Sequence, residues 1–227
     1  MGEGWNRFVS GKKNFIFLGE AGCGKTEAAI NLSLYLNSKG EHVHFFDMDQ
    51  TKPLFRARDV REVLEEEKIF FHYEEQYADA PIQVGGVATA MTDQESYTVM
   101  DVGGDKIGAC LIGGFSRLLN REDTIVFYLL NPYRIWSGRP EYVRSMLLGV
   151  TGAARVKSVQ VLANPYIGRE TTKEYFLEGL SMAENYMPEE YPVNGVLVNE
   201  KLREFAESSS DLPVIIIKKY VQSEWNE

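Results

Sequence analysis

The chain has little cysteine, a deficit of basic residues and no long apolar run. Two cysteines, Cys23 and Cys110, occur in 227 residues. They lie far apart and form no C-x-x-C pair, which excludes a disulfide framework and fits a reducing cytoplasm. Lysine and arginine number 24 against 33 aspartates and glutamates, a formal net charge of −9. A nucleic-acid backbone is therefore not expected as the main partner, because binding it takes a basic face. A local basic patch remains compatible with that balance. No stretch approaches the length of a membrane span, and the opening MGEGWNRFVSGKKN lacks the apolar core of a signal peptide. The expected setting is the cytoplasm, away from membranes. Without repeats or low-complexity linkers, the length suits a single domain over 1–227.

What is present is an apolar run, a glycine-studded turn and a helical pattern in direct succession: FIFLGEAGCGKTEAAINLSLYL, residues 15–36. Gly19, Gly24, Lys25 and Thr26, with Gly22 inside the turn, satisfy G-x-x-x-x-G-K-[ST], the phosphate-binding P-loop. Residues 15–18 suit a buried parallel strand, and Thr26 opens a helix carried by Ala28, Ala29, Leu32, Tyr35 and Leu36 and stopped at Gly40.

Downstream, HVHFFDMD reads as a strand ending in the carboxylates Asp47 and Asp49, with His42 and His44 as strand residues. DVREVLEEEKIFFHY reads as a charged, solvated helix running into an apolar patch. The Gly85-Gly86 pair leaves 84–90 without a pattern. Residues 97–100 form a strand with Asp101 at its carboxyl end, followed by Gly103, Gly104 and a helix expected from Ile107 to Leu119. TIVFYLL is a buried strand ending at Asn131, PEYVRSMLLGVTG a helix, KSVQVLANPY a strand ending at Asn164, and TTKEYFLEGLSMAENY a helix. PVNGVLVNEKL then supplies a connection and LPVIIIKKYV a last strand. Continuously apolar strands alternating with helices predict an α/β fold with a mostly parallel sheet and helices on both faces. The polar residues cluster past strand ends, where open α/β sheets bind ligands.

The chemistry expected there follows from charge. A triphosphate of ATP size needs donors, which the backbone N–H groups from Gly22 through Cys23 and Gly24 to Thr26 supply, aided by the following helix N-terminus. Lys25 would reach the β- and γ-phosphates, and the Thr26 hydroxyl would coordinate Mg²⁺. Asp101 is placed to hold the magnesium through water, and Gly104 completes D-x-x-G, whose N–H can sense a γ-phosphate. Asp47 and Asp49, at alternate positions, point to one side and would repel unless a cation or polarised water lay between them; a solvated strand end is the competing reading. Asn164 could hydrogen-bond a base edge or serve as a plain Asn-Pro turn. Cys23 sits where amide dipoles would lower a thiol pKa, though a small tolerated side chain explains it as well.

GEAGCGKTEAAINLSLYL, FFDMDQTKPLFRARD, VMDVGGDKIGA and NPYIGRETTKE together resemble the MinD/ParA/CobQ-type P-loop ATPases. The likeness is greatest to a bacterial branch with K-T-E-x-x-x-N after the P-loop, here Lys25, Thr26, Glu27 and Asn31, and D-V-G-G-D at the second switch. It touches most of 14–175. The resemblance implies a P-loop NTPase fold and a MgATP-dependent switch, with Glu27 and Asn164 beside the nucleotide, Asn164 reading adenine. It also implies that Asp49 orients the attacking water and that Asp47 is an outer-shell magnesium partner. Glu20 stands where MinD and ParA proteins carry a signature lysine that reaches across a dimer, so the departure weighs against a nucleotide-sandwich homodimer. No C-x-C pair of a metallochaperone is present, and the closing KKYVQSEWNE is too short and acidic for a membrane-positioning helix.

The leading expectation is an ATPase switch acting on a protein partner that the sequence leaves unidentified. An ATP-dependent ligase or kinase of small molecules, and a nucleotide-binding module without turnover, are the alternatives.

Overall fold

The computed structural model describes residues 3–49, 60–73, 84–168 and 170–221. The tail of FFDMDQTKPLFRARD and all of the closing QSEWNE lie outside the described residues. A 3-10 turn, Glu3–Trp5, and a short helix α1 (Asn6–Val9) lead into β1 (Asn14–Gly19), the P-loop and α2 (Lys25–Ser38). There follow β2 (His42–Met48), α3 (Arg61–Glu66), β3 (Phe70–His72), α4 (Val87–Thr92) and β4 (Ser96–Val102). After β4 come α5 (Lys106–Ile112), α6 (Ser116–Leu119), β5 (Thr124–Leu130), α7 (Pro140–Ala154) and β6 (Gln160–Ala163). The described chain ends with α8 (Lys173–Tyr186), β7 (Val193–Asn199), α9 (Arg203–Ser209) and β8 (Val214–Ile217).

The strands form one sheet in the order β3-β2-β4-β1-β5-β6-β7-β8, and every pairing among the described residues is parallel. The two-residue period of the strands divides the core. On one face Phe15, Phe17, Val43, Phe45, Val99 and Phe127 pack with Ala28, Ala29, Leu32 and Leu36 of α2. On the other, Ile16, Leu18, Phe46, Met100 and Val126 pack with Ala109, Leu147, Phe176 and Ala206 of α5, α7, α8 and α9. Helices therefore cover both faces, and no helix among the described residues is long and apolar enough to cross a membrane.

Several elements differ from expectation. The helix expected from Ile107 to Leu119 is interrupted by a 3-10 turn at Gly113–Phe115. The apolar patch after α3 is the edge strand β3, so that segment is only partly a solvated helix. PVNGVLVNEKL holds a full interior strand, β7, and is not merely a connection. The patternless stretch at 84–90 contains the start of α4. Asp101 lies within β4, one residue before its end.

Candidate functional site

β1 runs into the P-loop at the carboxyl end of the sheet, between β4 and β5. Gly24 caps α2 in the left-handed region at φ 102°, and a Cβ there would meet the Asn164 amide nitrogen at 2.4 Å. Lys25 is 2% exposed, and its Nζ donates to the Glu20 carbonyl at 2.8 Å. The Thr26 hydroxyl donates to Asp101 Oδ2 at 2.6 Å, joining the P-loop to the end of β4.

The carboxylates assemble around that bond. Asp47 and Asp101 are direct neighbours in the β2–β4 register, and the Asp49 N–H donates to Asp47 Oδ1 at 3.0 Å. All three are buried. Burial pushes Asp101 up to about 7, with Asp47 and Asp49 adding to the rise while Lys25 and the Thr26 hydroxyl oppose it. Asp101 Oδ1 is buried without a hydrogen-bond partner among the described residues. An orphaned carboxylate oxygen among like charges fits a hydrated divalent cation. Among the described residues no three His, Cys, Asp or Glu side chains form a metal cage; magnesium characteristically keeps several waters and borrows phosphate oxygens instead.

The D-V-G-G-D segment lies against the P-loop. A Cβ on Gly104 would fall 2.6 Å from the Ala21 nitrogen, and one on Gly103 would fall 3.3 Å from Asp49 Oδ1. Asp105 then caps α5 by accepting from the Gly108 N–H at 2.8 Å. The segment carrying Asp101 is thus packed against both the loop and Asp49.

From Gly22 and Gly24 a pocket of about 470 Å³ extends over Lys25, Thr26 and Asn164 towards Tyr166, Phe176, Leu202 and Val221, a volume within the range of small-molecule sites. Asn164 lines this pocket, yet its Nδ2 donates to the Cys23 carbonyl at 2.9 Å and so braces the loop. Glu27 also lines it, but its carboxylate accepts the backbone N–H groups of Tyr220 and Val221, each at 2.9 Å. Asn31 adds two bonds to Lys218, as donor and acceptor, both 2.8 Å. K-T-E-x-x-x-N therefore fastens the segment after β8 onto α2, where it walls the pocket. Cys23 turns its thiol into the α2-side core, 1% exposed. Asn131 is spent on its neighbours, accepting from the Tyr133 N–H and donating to the Tyr166 carbonyl.

Arg134 escaped the sequence reading, and Glu20 entered it only as a departure from the signature lysine. Arg134 lines the pocket, and its Nε donates to the Gly22 carbonyl at 2.8 Å. Glu20 is buried and accepts from the Ser137 hydroxyl at 3.1 Å; burial pushes its carboxyl up, with Ser137 and Lys25 opposing. The signal for Arg134 was its position just past the β5 strand end.

No protein-family model matches the chain, and no curated protein sequence does. Solved structures do. The signal recognition particle receptor FtsY of Elizabethkingia anophelis, in complex with GDP, has TM-score 0.56 at 15% identity, covering 85% of this chain and 58% of that one. FtsY of Thermotoga maritima gives 0.52 at 15%, covering 82% and 62%. FtsY of Mycoplasma mycoides gives 0.53 at 14%, covering 82% and 60%. The chain spans less than two thirds of each of these structures. At such identities the likeness speaks for architecture, and the architecture is that of a P-loop NTPase.

Proposed function

We propose that the chain is a cytoplasmic MgATP-binding switch that hydrolyses ATP and acts on a protein partner, of the MinD/ParA type in its motifs. The observation that carries the reading is the Thr26–Asp101 hydrogen bond at 2.6 Å, with Gly104 packed on Ala21. A change at the phosphates would be felt at once by the segment that leads into α5. Lys25, freed from the Glu20 carbonyl, would neutralise phosphate charge, and Asp49 would orient the attacking water. Thr26 would hold magnesium directly, and Asp101 and Asp47 through water. Bound magnesium would supply charge neutralisation on the phosphates. Glu20, buried and held by Ser137, supports the view that it does not reach a second copy.

We read the base pocket as one for adenine from two of its lining residues. Guanine's N1–H and N2–H₂ donors are best met by a carboxylate with both oxygens turned to the base, whereas Glu27, the acidic residue lining the described pocket, is oriented by the backbone N–H groups of Tyr220 and Val221, one on each oxygen. Asn199 also lines the pocket, with Oδ1 buried and without a partner among the described residues, and its amide pairs a donor with an acceptor as adenine's edge does. Competition calorimetry with ATP and GTP tests the choice, and tighter GTP binding would overturn it. Lys25→Ala removes a charge-assisted contact worth roughly 1.5–3 kcal/mol, so ATP affinity should fall about ten- to a hundredfold with circular dichroism unchanged. Equal affinity in wild type and variant would remove the P-loop assignment itself.

A further inference from the structure

We propose that Arg134 is an intramolecular arginine that binds the nucleotide's phosphates and stabilises the charge developing as the γ-phosphoryl group leaves. The inference rests on the nucleotide-hydrolase reading above.

Arg134 lies in the loop between β5 and α7. Its Nε donates to the Gly22 carbonyl, and the side chain runs along the P-loop turn: a Cβ on Gly22 would meet Arg134 Nε, Cζ and Cδ at 3.5, 3.8 and 3.9 Å. It lines the same pocket as Lys25 and Thr26. A guanidinium carries five N–H donors, and one is used in this bond. Among the described residues no acid is hydrogen-bonded or ion-paired to Arg134. A charged fork beside a polyanion cradle, with donors to spare, is placed for bidentate phosphate recognition.

The loop that carries it is held in advance. Asn131 accepts from the Arg134 N–H at 3.2 Å, and the Arg134 carbonyl accepts from the Ser137 N–H at 2.9 Å. The Ser137 hydroxyl then reaches Glu20. One loop thereby grips the P-loop at both Glu20 and Gly22, and part of the entropy of ordering a long side chain is already spent before nucleotide arrives.

In the reaction, a water oxygen bonds to the γ-phosphorus as the bond from phosphorus to the β–γ bridging oxygen breaks. The bond's electron pair stays on the departing diphosphate, and the water's proton leaves with inorganic phosphate or to solvent. Arg134 changes no bonds; it meets the negative charge that gathers on the phosphate oxygens. Arginines in this role, supplied in cis or in trans, are worth about 10³–10⁵ in rate.

The competing role is a brace for the Gly22 carbonyl, for which an uncharged donor would serve. Arg134→Gln keeps a donor and removes the charge, and Arg134→Lys keeps the charge without the fork. ATP affinity by calorimetry and single-turnover hydrolysis are compared across wild type, both variants, Arg134→Ala and Lys25→Ala, with thermal melting of each. We expect Arg134→Gln to melt like wild type, to bind MgATP about tenfold or more weakly, and to hydrolyse it at least about tenfold more slowly. Arg134→Lys should recover part of the affinity and little of the rate. Wild-type affinity and rate in Arg134→Gln, or a loss matched by a lower melting temperature, would reduce Arg134 to a brace. If Lys25→Ala also leaves ATP binding unchanged, the hydrolase reading fails as well; if it weakens binding, only the role of Arg134 is lost.

Discussion

Asp49 and Asp101 share one charged neighbourhood, but the proposed function gives them different tasks. Asp101 bonds the Thr26 hydroxyl and keeps an orphaned oxygen, whereas Asp49 lies against Gly103. Losing a water-orienting group slows phosphoryl transfer without removing nucleotide contacts. Asp49→Asn should therefore keep ATP affinity within about threefold, below ~0.7 kcal/mol, while hydrolysis falls by about an order of magnitude or more. Asp101→Asn should weaken the magnesium-dependent part of binding. Affinities with and without Mg²⁺, beside single-turnover rates, separate the two; wild-type turnover in Asp49→Asn would leave the Asp47–Asp49 pair a structural one. These carboxylates were legible because they follow apolar runs within a few residues. The partners of Glu27 were not, since they lie at Tyr220 and Val221, and no local pattern announces a contact across that much chain.

At the scale of elements, the strands that could be read were those with a clear apolar core between polar ends. After a polar first residue, Asn14 or Thr124, β1 and β5 each hold a run of apolar and aromatic side chains, and both are buried along their whole length. β7 was missed because two of its residues serve neighbours: Asn194 Oδ1 accepts the Val161 N–H of β6 at 2.8 Å, and a Cβ on Gly195 would press on Leu162 and Phe8 at 3.1 and 3.2 Å. β3 was missed because it is short and sits at an edge. It is held partly by a histidine pair, His44 Nδ1 to His72 Nε2 at 2.8 Å, which needs at least one neutral ring. Burial lowers both pKa values, with His42 adding to the effect at His44 and Asp93 opposing it, and His44 adding to the effect at His72. Between the folded values and about 6.5 the unfolded chain binds protons that the folded one refuses, so stability falls as pH drops below about 6.5. His72→Gln should flatten that fall. Melting curves at pH 7.5 and 5.5 check it, and an equal drop in both proteins would assign the acid sensitivity elsewhere.

Across the whole molecule, the segment before β1 acts as a plug beneath the sheet. Trp5 is 1% exposed and packs edge-on against Phe17 of β1 and Phe127 of β5. Trp5→Ala should cost about 3–5 kcal/mol, read as a shift in urea midpoint with an unchanged slope. Trp5→Phe should cost much less, because the indole N–H is buried without a partner among the described residues. A loss below about 1 kcal/mol for Trp5→Ala would mean that the site collapses freely on truncation. Assembly is decided at the same scale. With Glu20 turned inward, ATP should drive little self-association, and sedimentation with a non-hydrolysable analogue would expose the error if a tight dimer formed. The clasp of Glu27 and Asn31 on residues 218–221 also sets an order in time. Domains take shape from the N-terminus during synthesis. A chain stalled on the ribosome before Lys218 would carry the residues of the phosphate cradle but lack one wall of the base pocket. Tight nucleotide binding would then begin only once residues 218–221 have emerged and closed on α2.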